Sequence, residues 1–227
     1  MTFNQLKMAI YATYLTNIYG YKLTKVSDVQ DKKKLRTEYS NRLLSKLNIE
    51  IKVINEDKIP KDGQYLLLSN HRTIIDPSIV EIATQNSNIY GHWIAKKELY
   101  NSFFFGMFVR NAGTILLDRE SSQMSGFFKD IRKVVKSGDS VYIFPEGTRN
   151  QTDDVLGEFK GGAEKIAKMN KIDMLPAFIR GRADQTLKDA IRDSSEHRVI
   201  EIEFGDLISY EDNIDSIEEL YKQRFNL

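Results

Sequence analysis

Leu66-Leu67-Leu68-Ser69-Asn70-His71-Arg72-Thr73-Ile74-Ile75-Asp76-Pro77 is the stretch on which the fold turns. A short apolar run stops at a polar loop, and Asp76 followed by Pro77 reads as the N-cap and first residue of a helix. This is a strand, a loop and a helix within twelve residues. The same alternation continues in both directions. Strands are expected at Ile51–Ile54, Tyr65–Ser69, Tyr90–Ala95, Thr114–Leu117, Ser140–Phe144, Asp173–Ile179 and Val199–Phe204, and helices at Pro77–Thr84, Ser122–Lys136, Gly162–Met169 and Asp215–Arg224. Strands separated by helices of this length predict an α/β domain with a largely parallel mixed sheet flanked by helices.

Upstream, residues 1–46 differ in character. They carry nine basic and three acidic groups, a local +6, against 24 basic and 29 acidic groups, or −5, in the remainder. Phe3, Leu6, Ile10, Tyr14, Ile18 and Tyr21 fall on one broad helical face, which Gly20 is expected to interrupt. Ser27 and Gln30 make a capping-box pattern for a second helix striped by Leu35, Tyr39, Leu43 and Leu47. The expected organisation is a basic amphipathic helical pair over residues 1–46 that docks on a membrane, followed by one domain over residues 47–227. The charge and the five aromatics among the first 21 residues suit an anionic interface, although a helical pair packed on the domain would read the same way.

Composition narrows the chemistry. The chain has 227 residues, 41% of them apolar, with 33 basic and 32 acidic groups, which suits one folded domain with a large core. Cysteine is absent, so disulfides, thiolate nucleophiles and Cys-ligated metals are excluded. Three histidines, His71, His92 and His197, make a His-rich metal site improbable, and no metal is expected. The longest near-apolar stretch, Ser102 to Val109, is far short of the roughly 20 residues a spanning helix needs. No signal peptide is visible, so the chain is expected on the cytosolic side.

Chemically distinctive residues collect where strands stop. His71 and Asp76, five apart, would lie about 140° apart on a helix, so their spacing suits a loop that folds back. The carboxylate could then accept helix N–H bonds together with one imidazole N–H, leaving the other ring nitrogen free as a base. An isolated pair at this spacing also arises by accident, as a loop histidine beside a helix cap. Gly113 to Asp118 and Arg119 places a cation after a buried-type strand, at the sheet edge where open α/β folds bind ligands. A salt bridge from Arg119 to Asp118 or Glu120 is the alternative. Phe144-Pro145-Glu146-Gly147-Thr148-Arg149 repeats the arrangement, with Gly147 permitting a tight turn. Met174-Leu175-Pro176-Ala177-Phe178 is a strand carrying a proline, which predicts an edge or a bulge. Lys96 and Lys97 end another strand.

In order and spacing these blocks resemble the glycerophospholipid acyltransferase family. The family's N-H-x4-D is matched by Asn70, His71 and Asp76, and its glycine–apolar–D-R block by Gly113 to Arg119. F-P-E-G-T-R is complete from Phe144 to Arg149, and the apolar–Pro–apolar strand is Leu175-Pro176-Ala177. Phe159-Lys160-Gly161-Gly162-Ala163 and Lys97-Glu98-Leu99 resemble intervening segments. Asn150 and Thr73 depart from the commoner residues at their positions, and members sharing all four blocks acylate different lysophospholipids.

The resemblance implies an acyltransferase that moves a fatty acyl group from acyl-CoA or acyl carrier protein to a lysophospholipid hydroxyl, above all that of 1-acyl-glycerol-3-phosphate. It implies His71 as general base oriented by Asp76, and Lys97, Arg119, Glu146, Gly147, Thr148 and Arg149 at the acceptor, with no cofactor. It places the protein peripherally on the cytoplasmic face of the inner membrane. Absence of a G-x-S-x-G elbow agrees with direct transfer and no covalent intermediate. The other readings are acylation of an ornithine-lipid or lysophosphatidylcholine type of acceptor, or an inactive lipid-binding module. Nucleic acid is not an expected partner, because the positive charge is confined to one end. Phe103, Phe104, Phe105, Met107 and Phe108 would line an acyl groove, dip into the membrane, or form an ordinary core helix.

Overall fold

Leu66, Leu67 and Leu68 are completely buried because the strand they form lies in the middle of a sheet covered on both faces. The computed structural model describes residues 2–118, 124–212 and 216–227. Among these, strands β1 (Ile49–Ile54), β2 (Leu66–Ser69), β3 (Gly91–Lys96), β4 (Ile115–Leu117), β5 (Ser140–Ile143), β6 (Met174–Ile179) and β7 (Arg198–Phe204) form one sheet in the order β1-β7-β6-β2-β5-β3-β4. Only β6 and β7 run antiparallel; the other neighbours are parallel. Side chains alternate across the pleat. Leu67 joins one core layer with helices α1 (Phe3–Leu23), α2 (Val29–Lys46), α3 (Asp76–Ala83) and α7 (Ala183–Arg192). Leu66 and Leu68 join the other, with α5 (Ser125–Lys136), α6 (Gly162–Asn170) and α8 (Ile217–Phe225). This is the expected α/β class.

Several local expectations are corrected. Gly20 does not interrupt α1; it lets the helix approach the short α4 (Gly106–Asn111), for a Cβ there would lie 2.8 Å from the Phe108 amide nitrogen. Capping of α2 falls to Asp28, not Ser27, with Asp28 Oδ1 accepting from the Gln30 and Asp31 amides. Thr2 and Gln5 make the actual capping box, at the start of α1. Pro176 lies in an interior strand and not at an edge. It pairs with Leu68 on one side, and on the other it follows the last β6–β7 pair, Ala177 with Phe204, so its missing N–H falls where β7 ends. The starts expected for two helices, Ser122 and Asp215, lie outside the described residues.

The helical pair is not an appendage. Leu15, Tyr19, Leu43, Leu44 and Leu47 belong to the main core, and Lys33 and Arg36 of α2 are buried. Burial lowers the Lys33 pKa, and its ammonium donates to the carbonyls of Thr84, at 3.0 Å, Ser87 and Ile89, at 2.9 Å. Residues 47–227 therefore share one core with the segment before them. Among the described residues no helix is long and apolar enough to cross a membrane.

Candidate active site

At the carboxyl end of β2 the chain needs anchoring, because its ladder to β6 stops at Ser69. Asn70 supplies the anchor with its side chain: Nδ2 donates to the Ile179 carbonyl at 3.0 Å and Oδ1 accepts from the Ile179 amide at 2.7 Å. The side-chain amide thus imitates one more rung between β2 and β6. It also sets where the next residue, His71, leaves the sheet.

Asp76 is fully buried, and a lone carboxylate there would be costly. Four donors compensate. Its Oδ2 accepts from the Arg72 amide at 2.6 Å and the Thr73 amide at 2.8 Å, and faces His71 Nδ1 at 2.8 Å; its Oδ1 accepts from Thr73 Oγ1 at 2.6 Å. The amides come from the loop ahead of α3 and not from the helix that Asp76 was expected to cap; Asp76 is itself the first residue of α3. An ionised carboxylate only accepts, so Nδ1 carries the proton and the lone pair lies on Nε2. Among the described residues Nε2 meets no hydrogen-bond partner, and the side chain keeps 18% exposure. The imidazole face stacks on Phe144, with centroids 4.0 Å apart and planes 9° apart.

Residues 144–150 lace this loop in place. Glu146, 3% exposed, accepts the His71 amide on Oε1 at 2.6 Å and the Gly157 amide on Oε2 at 2.9 Å. Burial pushes its pKa up, against the pull of those two amides. Glu146 was expected to shape the acceptor site; its carboxylate bridges the His71 loop and the Gly157 loop. The Asn150 amide donates to the His71 carbonyl at 2.6 Å, so both backbone groups of His71 are held by the F-P-E-G-T-R block and the residue after it. Gly147 has φ +68° in the turn, and its amide donates to Phe144 at 2.9 Å. Thr148 and Arg149 are exposed beside it.

Arg72, unremarked in the sequence, turns away from the imidazole. Its guanidinium donates to the carbonyls of Thr152, at 3.2 Å, and Asp154, and its buried Nε has no partner among the described residues. Lys97 stands at the same sheet edge, two strands from β2, and pairs with Asp118 at 2.8 Å, both side chains being exposed. Arg119 lies outside the described residues. His71, Asp76, Gly147, Thr148 and Arg149 are thus gathered around one loop, and Lys97 lies two strands away along the same sheet edge. Phe103 and Phe104 are 81% and 51% exposed, which removes them from a core helix, whereas Phe108 packs on Tyr39.

Comparison with known proteins identifies the family and the fold. A family model described as "Acyltransferase" matches residues 50–180. The 1-acyl-sn-glycerol-3-phosphate acyltransferase of Streptococcus pneumoniae is 36% identical over 75% of this chain and 60% of its own length. That of Bacillus subtilis is 33% identical over 58% of this chain and 63% of its own. The chain thus spans about three fifths of these relatives. The crystal structure of the 1-acyl-sn-glycerophosphate (LPA) acyltransferase PlsC from Thermotoga maritima superposes with a TM-score of 0.70 at 20% identity, covering 98% of this chain and 92% of that one, and so shares the fold. With the match running from β1 through the His71 loop and residues 144–149 to the end of β6, the chain belongs to the acyltransferase family.

Proposed function

We propose that the protein transfers a fatty acyl group from a thioester donor, acyl-CoA or acyl carrier protein, to the free hydroxyl of 1-acyl-glycerol-3-phosphate, giving phosphatidic acid. The observation that carries this reading is the His71–Asp76 pair, with Nδ1 held at 2.8 Å and Nε2 without a hydrogen-bond partner among the described residues. Nε2 takes the proton of the acceptor hydroxyl while its oxygen attacks the thioester carbonyl. Collapse of the tetrahedral intermediate breaks the C–S bond, and the imidazolium returns the proton to the departing thiolate. Asp76 stabilises the cation that forms in between.

Arg149, exposed beside the His71 loop, is the cation best placed for the acceptor phosphate, and a guanidinium suits bidentate contact. Lys97 would have to share its charge with Asp118, and Arg119 is assigned with them on the family pattern. Gly147 and Thr148 shape the turn around the acceptor. The reaction is proposed to run at an anionic membrane surface on the cytoplasmic face. Supporting this, α1 exposes Phe3, Leu6, Ile10, Tyr14 and Tyr21, and the loop before α4 exposes Phe103 and Phe104. Because α1 and α4 pack together, these two sets of side chains can dip into one interface.

The test is a panel of lysolipid acceptors with each donor, following free thiol and phosphatidic acid. Thiol release that depends on lysophosphatidic acid supports the reading. Release with only an ornithine lysolipid or lysophosphatidylcholine would move the acceptor, and none with any acceptor would sink acyl transfer.

A further inference from the structure

Behind Phe144 a second set of contacts runs away from the imidazole toward α2. Glu81 of α3, 5% exposed, places one oxygen, Oε1, against three donors: Arg36 Nε at 3.1 Å, Arg36 NH2, and the indole Nε1 of Trp93 at 2.8 Å. Arg36 also donates from NH1 to the carbonyls of Gly91, at 2.8 Å, and Ala112, at 3.3 Å. Burial works against the Arg36 charge, yet Glu81 and the neighbouring tyrosines leave its pKa above the ordinary value, so Glu81 faces a permanent cation. An acceptor held this firmly pins the indole in turn.

The pinned indole is the last ring of a stack of three. Trp93 lies on Phe144 with centroids 4.8 Å apart and planes 23° apart, and Phe144 lies on His71 as described above. Tyr142 meets Trp93 edge-on at 5.2 Å. The torsion that turns an imidazole about its Cβ–Cγ bond is soft, as is that of a phenyl ring. Asp76 fixes one point on the His71 ring, namely Nδ1, and the stacked face fixes its plane. Phe144 has no polar atom by which to hold its own plane. Trp93 has one, and Glu81 takes it.

We propose that Trp93 and Glu81 are positioning residues for the transfer step: the hydrogen-bonded indole backs Phe144, which holds the His71 ring so that Nε2 points along one line toward the acceptor hydroxyl. This rests on the reading of His71 as the base. It makes α2, through Arg36, the outermost support of the site, and so ties the N-terminal segment to turnover and not only to location.

The experiment uses the full chain with lysophosphatidic acid and acyl-CoA, measuring kcat and KM separately. Trp93→Leu, Trp93→Phe and Glu81→Leu are each made in the wild-type and the His71→Ala backgrounds. Small errors in the placement of a reacting group are expensive, so Trp93→Leu is expected to lower kcat about tenfold with KM for the acceptor within about twofold. Trp93→Phe keeps a stacked face and should recover most of that loss. In the His71→Ala background, Trp93→Leu should change the residual rate less than about twofold, because a residue acting through the imidazole has nothing left to position. The same loss in both backgrounds, a loss confined to KM, or no loss at all would overturn the proposal while leaving His71 as the base. Full activity of His71→Ala alone would overturn the base reading, and the proposal with it. Trp93 is the only tryptophan in the chain, so its emission reports its own surroundings. Glu81→Leu should shift that emission and lower kcat, with no further loss when combined with Trp93→Leu. Unchanged emission and kcat would remove Glu81 from the proposal, and if Glu81→Leu does not fold, the Trp93 variants decide.

Discussion

Two histidine–aspartate pairs sit at opposite ends of the same sheet. His71 and Asp76 lie past the carboxyl end of β2; His92, near the start of β3, faces Asp139, which precedes β5. Their separations are close, 2.8 Å and 3.0 Å, and the imidazoles are similarly exposed at 18% and 16%. The difference lies in the other ring nitrogen. His92 Nδ1 is occupied by the Gly113 carbonyl at 2.5 Å, whereas His71 Nε2 has no partner among the described residues. A histidine clasped on both sides holds β3, β4 and β5 in register; one clasped on a single side keeps a lone pair for chemistry. Position within an α/β sheet, together with what remains unbonded, separates the two.

The sharpest way to break this comparison is to remove each imidazole in turn. His71→Ala is expected to lower acyl transfer by about 10² to 10⁴ while Tm stays near that of the wild type. His92→Ala should do the reverse, keeping activity and costing about 1–3 kcal/mol, because Asp139 and the Gly113 carbonyl lose a partner. Turnover measured beside a thermal melt distinguishes them, and a His92→Ala protein that folds normally but is inactive would refute the division.

Cations at the two ends should separate in the same way, with a smaller effect. Losing a charge-assisted bond to phosphate costs about 1.5–3 kcal/mol, so Arg149→Ala should weaken use of a phosphorylated acceptor roughly tenfold to hundredfold and spare the donor. Lys97→Ala should lose less, since the exposed Lys97–Asp118 pair already engages the ammonium. Lys136→Ala, at the end of α5 nearest Asp139, should change neither. Equal losses on phosphorylated and phosphate-free acceptors would contradict the assignment to Arg149.

The smallest expected effect concerns pH. Burial lowers the His92 pKa, outweighing the upward pull of Asp139 and Gly113. Below the ordinary histidine value the unfolded chain therefore takes up a proton that the folded one resists. Stability from this group is present above about pH 6.5 and is lost as pH falls through the lower folded value. Chemical denaturation between about pH 7 and 5 should show a decline that His92→Phe reduces, and an unchanged slope in that variant would exclude His92 as its source.

The strand–loop–helix at Leu66–Pro77 and the alternation around it made the α/β class legible from sequence, because burial and turn chemistry are written in residue type. Composition alone excluded thiol chemistry. The same reading saw the order of the four motif blocks, hence the residues gathered at the carboxyl edge. It read Pro176 as an edge or a bulge because a missing N–H is a local fact, while the end of β7 beside it is not. It singled out Glu146 to shape the acceptor site, but a carboxylate in a motif does not disclose that two amides 75 and 11 residues away will occupy it. It gave His92 no role and left residues 1–46 between membrane docking and packing on the domain, since neither the clasp from Asp139 and Gly113 nor the burial of Lys33 and Arg36 leaves a mark on neighbouring residues. Residue type and spacing determined which groups could react. Which nitrogen remains free, which carboxylate is already spent on the backbone, and what stands behind the imidazole were decided by contacts between segments far apart in the chain, where burial and hydrogen-bond geometry are set together.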